Sequence, residues 1–327
     1  MRCTTTFRGA ACAATLGVVL AACGTTSSTA TANTHITIGF VVGITSDPYF
    51  ITMENGANAE AAKLGVTLDW EGSSTTYSPT TEIPYVTAEL AKHVNALVLS
   101  PTNAQALVPE VQSAKKDGIP VVCVDTYTND TSDLVTRIAG DNTGGGQQAA
   151  KLLADAIGDS GQVLLLDSSA GVTSDDQRSA AFVATMQNDY PNITLVGTQY
   201  SQDVATNAQT IIQQQLSRYP NLKGVFAVDD VTAEGTIAEL QDLGTAGAGV
   251  KVISYDAEAA QVTALEADKL VGLIAQQPAL EGQIAVEDAV LAAQGKAGGI
   301  AKVDNVPNVT ITYANYATNE QYFYSLG

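Results

Sequence analysis

Histidine is almost missing from this chain of 327 residues, which contains two. His35 precedes the first apolar run and His93 falls near the end of a helical stretch, so a Ser-His-Asp arrangement or a zinc site has too few ligands to draw on. Cysteine is nearly as scarce. Cys3, Cys12 and Cys23 all lie within the first 23 residues, which leaves Cys123 alone in the body of the chain and excludes an intramolecular disulfide there. In the run Pro120-Val121-Val122-Cys123-Val124-Asp125 it reads as a buried strand residue rather than a reactive thiol. Positive charge is short as well. Fifteen basic residues face 34 acidic ones, a formal net charge of −19, and that balance repels nucleic acid and anionic headgroups while suiting a neutral or cationic ligand. A phosphate-binding loop is also lacking, because Gly144-Gly145-Gly146 is not followed by Lys and Ser or Thr.

What is present begins with a leader. Arg2 and Arg8, the apolar and small residues Ala10 to Ala22, and the tetrad Leu20-Ala21-Ala22-Cys23 make a basic n-region, a short h-region and a cleavage site, too short to span a bilayer. The tetrad is similar to a bacterial lipobox, in which the cysteine is lipidated and becomes the first mature residue. Residues 1–22 therefore read as a lipoprotein signal peptide and residues 23–35 as a lipid-anchored flexible tether of Gly, Thr, Ser, Ala and Asn. The leader carries two basic residues and no acidic ones, so the mature chain is more acidic still. The expected location is the outer face of the cytoplasmic membrane, anchored through Cys23.

From Ile36 onward, short β-branched apolar runs alternate with longer stretches of helical period. The runs are 36–42, 66–70, 96–100, 120–125, 162–167, 193–200, 224–229, 250–256 and 270–276, most of them continuously apolar as in parallel strands covered on both faces. The helix candidates between them include one opening at Ser46-Asp47-Pro48 and stopping at Lys63-Leu64-Gly65. Others cover 83–93, 106–117, 146–157, 175–190, 206–218, 232–243 and 280–294. The alternation predicts an α/β chain of βαβ units in open, doubly wound parallel sheets. There are too many units for one sheet, and a restart occurs at Val135 to Asp141, which leads into the glycine cluster 142–146. Two lobes with a cleft at the carboxyl ends of their strands follow.

Carboxylates recur at those strand ends. Asp47 follows the first run, Asp125 closes the fourth, Asp229 and Asp230 follow Val225 to Val228, Asp256 follows Val252 to Tyr255, and Asp175 and Asp176 follow Leu164 to Leu166. One such Asp is ordinarily a helix cap or turn residue. Five strands ending this way suit a hydroxyl-rich ligand, whose buried hydroxyls each need an acceptor. Tyr49 and Phe50 offer aromatic faces to the apolar side of a sugar ring.

Several segments together resemble the ribose-type periplasmic sugar-binding proteins, the ligand-capturing subunits of ABC importers. They are Ile38 to Val42, Ser46 to Phe50, Gly56 to Val66, Ala96 to Pro101, Gly118 to Val122 with Asp125, Ile138 to Asn142, Gly224 to Ala227 and Ile274 to Pro278. The resemblance spans Ile36 to Ala314. It implies two Rossmann-like lobes joined by a three-crossing hinge, a type I periplasmic binding protein. The N-terminal lobe would comprise 36–139 plus 277–308 and the C-terminal lobe 140–276 plus 309–327. It further implies a monomer without cofactor, metal or catalysis, whose partners are a small carbohydrate or polyol and a membrane permease. Carried over by position, the ligand contacts are Asp47, Tyr49, Phe50, Asp125, Asp229, Asp256 and Gln276.

Two positions depart from the pentose-binding pattern, which has Arg directly after the fourth-strand Asp and again after the sixth strand. Here they read Thr126 and Asp176, with Arg178 two residues further on, and these three join the expected ligand contacts. The expected site is thus strongly acidic and favours a polyol, an aminosugar or another cation-bearing molecule over ribose. Ser168 to Thr173 with Asp125 also resembles receptors of a furanosyl signalling sugar, and a receptor for a membrane sensor is a further reading. A glycosidase, which also uses paired carboxylates, is disfavoured by the bilobal pattern and the lack of aromatic subsites.

Overall fold

The computed structural model describes Thr4, Thr6 and residues 35–324; the rest of the leader expected over 1–22, the lipidation expected at Cys23 and the tether expected as far as residue 34 lie outside these residues. The first β-strand, β1 (Thr37–Ile44), leads into α1 (Pro48–Leu64), β2 (Thr67–Ser73), α2 (Pro79–Lys92), β3 (Ala96–Leu99), α3 (Val108–Lys116), β4 (Val121–Val124) and β5 (Leu134–Gly140). A second run follows: α4 (Asn142–Ile157), β6 (Gly161–Asp167), α5 (Thr173–Asp189), β7 (Ile193–Tyr200), α6 (Ala205–Arg218), β8 (Leu222–Ala227), α7 (Asp230–Asp242), β9 (Lys251–Tyr255), α8 (Ala259–Glu266) and β10 (Gly272–Ala275). The chain ends with α9 (Pro278–Ala293), β11 (Val303–Val306) and β12 (Val309–Thr312).

These strands form two six-stranded sheets, ordered β11-β5-β4-β3-β1-β2 and β12-β10-β9-β8-β6-β7. All neighbours are parallel except β12, which runs antiparallel to β10. Strands β3 and β4 are buried at every residue, which explains why they read as unbroken apolar runs. In each sheet the order reverses at the first strand of its run, β1 or β6, and ligands of open α/β sheets bind outside the carboxyl ends at such switch points. The chain passes between the sheets three times: after β5, after β10 and between β11 and β12.

Local chemistry accounts for the ends of the elements. Asp47 caps α1 by accepting from the Tyr49 backbone N–H at 2.7 Å, Pro48 takes the first turn, and Gly65 closes the helix at φ 67°. Helix α2 begins four residues earlier than the sequence suggests, because Ser78 caps it and Pro79 occupies its first turn. Helix α4 likewise starts at Asn142 rather than 146, with Asp141 capping the Gly144 N–H at 3.0 Å. Its glycines permit close approach: a Cβ on Gly145 would lie 1.9 Å from the Tyr255 hydroxyl. Helix α8 has no counterpart in the sequence reading, being eight mostly apolar residues without a polar face to set a period.

Candidate functional site

The strand ends of both sheets meet at one pocket. Asp47 stands after β1 and Asp125 after β4, while Asp229 follows β8, Asp256 follows β9 and Gln276 follows β10. Tyr49 and Phe50, in the first turn of α1, supply aromatic walls, their rings edge-on with centroids 5.1 Å apart. The pocket leaves about 60 Å³ for the centres of water-sized molecules, which is room for one small polar molecule and not for a chain of sugars.

The two sheets contribute carboxylates by the same device. Strands β4 and β9 hold equivalent places in their sheets, and each is followed by an aspartate in the left-handed region, Asp125 at φ 62° and Asp256 at φ 74°. Each donates its backbone N–H to an isoleucine carbonyl of the neighbouring strand, Asp125 to Ile138 at 2.8 Å and Asp256 to Ile274 at 2.9 Å. Asp tolerates this conformation better than most residues, and backbone strain of this kind gathers at binding sites.

Each carboxylate is held from one side only. Asp125 accepts from the Ser100 hydroxyl at 3.2 Å through Oδ2. Asp256 accepts from Gln276 Nε2 at 2.7 Å and from the Tyr324 hydroxyl at 2.9 Å, both through Oδ1. Asp229 Oδ1 caps α7 by accepting from the Thr232 N–H at 2.7 Å and hydroxyl at 2.6 Å. Burial pushes Asp125 up to about 7 against the pull of Arg178, and it raises Asp229 and Asp256 as well. Asp47 is raised by loss of water and then by the nearby Glu258 carboxylate. The site is therefore rich in acceptors that the protein itself leaves half used.

Arg178 is the cation of the pocket, and it turns inward. Its guanidinium is 2% exposed, donates to Asp175 and to the Val228 carbonyl at 3.0 Å each and to Asn142 at 2.8 Å, and stacks 3.7 Å from the Tyr255 ring centroid. Neither position of the pentose-binding pattern carries Arg, but Arg178 supplies a guanidinium from two residues further along α5.

Two expected contacts do not reach the pocket. Asp176 is exposed and accepts from the Gly171 N–H at 3.1 Å, while its neighbour Asp175, 4% exposed, lines the pocket. Adjacent helical residues point about 100° apart, so only one of the pair can face inward, and Arg178 shares the face of Asp175. Thr126 is buried beneath Asp125, donating its hydroxyl to the Pro101 carbonyl at 2.9 Å. Other lining residues are Tyr77 in the β2–α2 loop, Asp203 after β7 and Ser174 at the start of α5, which the sequence did not single out, and Asp230, Ser168 and Val172, which it singled out without assigning them as ligand contacts. Asp230 shares the strand-end signal of Asp229, whereas Tyr77 and Asp203 sit in loops with no pattern to mark them.

Comparison with known proteins gives concordant results. The sequence profile of the periplasmic binding protein domain matches residues 38–297. The ribose import binding protein RbsB of Salmonella typhimurium is 30% identical over 277 residues, spanning 84% of this chain and 90% of that protein. The xylitol-binding protein of Mycolicibacterium smegmatis is 26% identical over 295 residues, spanning 89% and 82%. Among solved structures, an ABC transporter solute-binding protein from Agrobacterium vitis bound with alpha-D-tagatopyranose aligns with a TM-score of 0.84 at 31% identity, over 89% of this chain and 99% of that one.

Proposed function

This chain belongs to the periplasmic binding protein family, and from that premise we propose that it captures one small carbohydrate or polyol and delivers it to the permease of an ABC importer. The observation that carries the reading is the pocket itself. Carboxylates from both sheets offer unused oxygens beside aromatic rings, in a space sized for one small polyhydroxylated molecule. Hydroxyls would donate to Asp125, Asp229 and Asp256, the sugar's apolar face would lie on Tyr49 and Phe50, and Arg178 would donate to a ring or hydroxyl oxygen. Asp47 and Gln276 complete the set, whereas Thr126 and Asp176 act through structure rather than contact.

The mechanism is closure. The lobes 36–139 plus 277–308 and 140–276 plus 309–327 rotate about the three crossings, and a ligand touching both shifts the population toward the closed form that the permease recognises. No covalent step is assigned to the pocket. Lipidation at Cys23 would tether the protein outside the cytoplasmic membrane, with residues 24–34 as its leash.

A thermal-shift screen of pentoses, hexoses, polyols and aminosugars tests the reading. A ligand that binds only the folded chain adds about 2.7 kcal/mol at a hundredfold excess over Kd, so the expected result is a rise of several degrees for at least one compound. No rise for any of them at millimolar concentration would sink the proposal.

A further inference from the structure

The charge of the ligand follows from the same pocket, and this inference rests on the reading of it as a carbohydrate site. Seven aspartates line the pocket against one guanidinium. That guanidinium is already paired, at 3.0 Å, with Asp175. The other ion pairs among the described residues involve Lys63, Lys92 and Lys115, none of which lines the pocket.

Three carboxylates converge at the edge of the pocket, Asp47 and Asp230 in its lining and Glu258 behind them. Asp47, from the β1–α1 connection, Asp230, in the first turn of α7, and Glu258, the N-cap of α8, bring one oxygen each to within 4.8 Å of the others. Asp47 comes from the first sheet's side and the other two, which share a carboxyl–carboxylate hydrogen bond, from the second, so the three repel across the cleft once all are ionised. An independent observation lies deeper in the pocket. Asp229 is 9% exposed and Asp256 is 4% exposed; each commits Oδ1 to protein donors and leaves Oδ2 without a protein partner on the pocket it lines. A hydroxyl can donate to such oxygens but brings no charge. An ammonium donates three hydrogen bonds and offsets the repulsion as well.

We propose that the ligand is a carbohydrate or polyol carrying a protonated primary amine, its ammonium seated among Asp47, Asp230 and Glu258 and its hydroxyls on Asp125, Asp229 and Asp256. The cation then bridges carboxylates of both lobes, so ligand charge and closure are linked.

Calorimetry on the full chain at neutral pH and low salt, comparing D-glucosamine with D-glucose, D-galactosamine with D-galactose and 1-amino-1-deoxy-D-glucitol with D-glucitol, tests this. The amine of at least one pair is expected to bind about tenfold or more tighter than its neutral partner. In Asp230→Asn and in Glu258→Gln that ratio is expected to fall to about twofold or less; two separate variants, each checked by its unfolding transition, guard against one failing to fold. Neutral members binding as tightly as the amines would overturn the proposal and leave carbohydrate capture standing. Binding of neither class would overturn both. Saturable heat from calcium chloride alone, abolished in the two variants, would make the cluster a metal site and overturn the amine.

Discussion

Asp256 is the residue on which site and core depend most directly. Its Oδ1 receives two buried donors, Gln276 Nε2 and the Tyr324 hydroxyl, and Tyr324 also accepts from the Gln276 backbone N–H at 3.1 Å. Replacing it with alanine strands both donors, at about 1–3 kcal/mol for each group left unsatisfied. Asp256→Ala is therefore expected to lower unfolding stability by about 2–5 kcal/mol and to abolish ligand binding, as read by denaturant titration and calorimetry. Asp256→Asn keeps an acceptor and should fold, while binding at least tenfold more weakly. Cys123 is the opposite case. It is fully buried in β4 and burial pushes its thiol up to about 12, so a thiol reagent should leave it unmodified until the protein unfolds. Peptide mapping after alkylation reads this directly; a labelled Cys123 peptide from the native protein would refute it. The apolar run around Cys123 disclosed this placement in the sequence, as did the strand-end positions of Asp47, Asp125, Asp229 and Asp256. The choice between Asp175 and Asp176 was not available there, because it depends on the rotation of α5 about its axis, which a helix with acidic residues on adjacent positions does not announce.

At the scale of elements, the contact between α1 and α9 connects fold to function. Helix α1 carries Tyr49 and Phe50, and α9 carries Glu281, whose carboxyl accepts from the Tyr49 hydroxyl at 3.0 Å. The helices meet at Gly56, where an added Cβ would lie 2.0 Å from the Ala279 carbonyl oxygen, a backbone atom that cannot turn aside. Gly56→Val is expected to cost about 2–3 kcal/mol through forced separation of the helices and to weaken ligand binding by moving the aromatic wall. Gly65 makes a useful contrast. A Cβ there meets nothing within 4 Å, but its φ is +67°, so Gly65→Ala should cost only about 1 kcal/mol of left-handed strain and leave ligand affinity unchanged. Equal losses of affinity in the two variants would show that the helix contact does not position the wall. The strands of both sheets were readable because burial on two faces leaves a continuous apolar run. The start of α2 and the whole of α8 were not, since the first turns on Ser78 capping a segment with an internal proline, Pro84, and the second is too short to display a period.

Across the whole molecule, the cost of burying so many carboxylates makes stability depend on pH. Burial is the first cause pushing Glu82, Asp125 and Asp167 up to about 7 and Glu281 up to about 8, against unfolded values of about 3.9–4.3. Between about pH 4 and pH 8 the folded chain thus holds protons that the unfolded chain has released, and the unfolding free energy falls as pH rises. Their stabilisation is complete below the unfolded values and lost as pH climbs through 7 and 8. The ligand-free protein is accordingly expected to melt several degrees higher at pH 5.5 than at pH 8.0. The net charge of −19 pushes in the same direction through general repulsion, but that contribution is screened by salt, whereas buried groups are screened much less. Repeating the measurement in about 0.5 M sodium chloride should therefore shrink the difference without removing it. Glu281→Gln, which keeps an acceptor for Tyr49 and no longer ionises, should gain stability relative to the parent at pH 8.0 and not at pH 5.5. A melting temperature that rises between these pH values would mean that these buried carboxylates are stabilised as anions by their donors, and the account of burial as the dominant cause of their shift would fall.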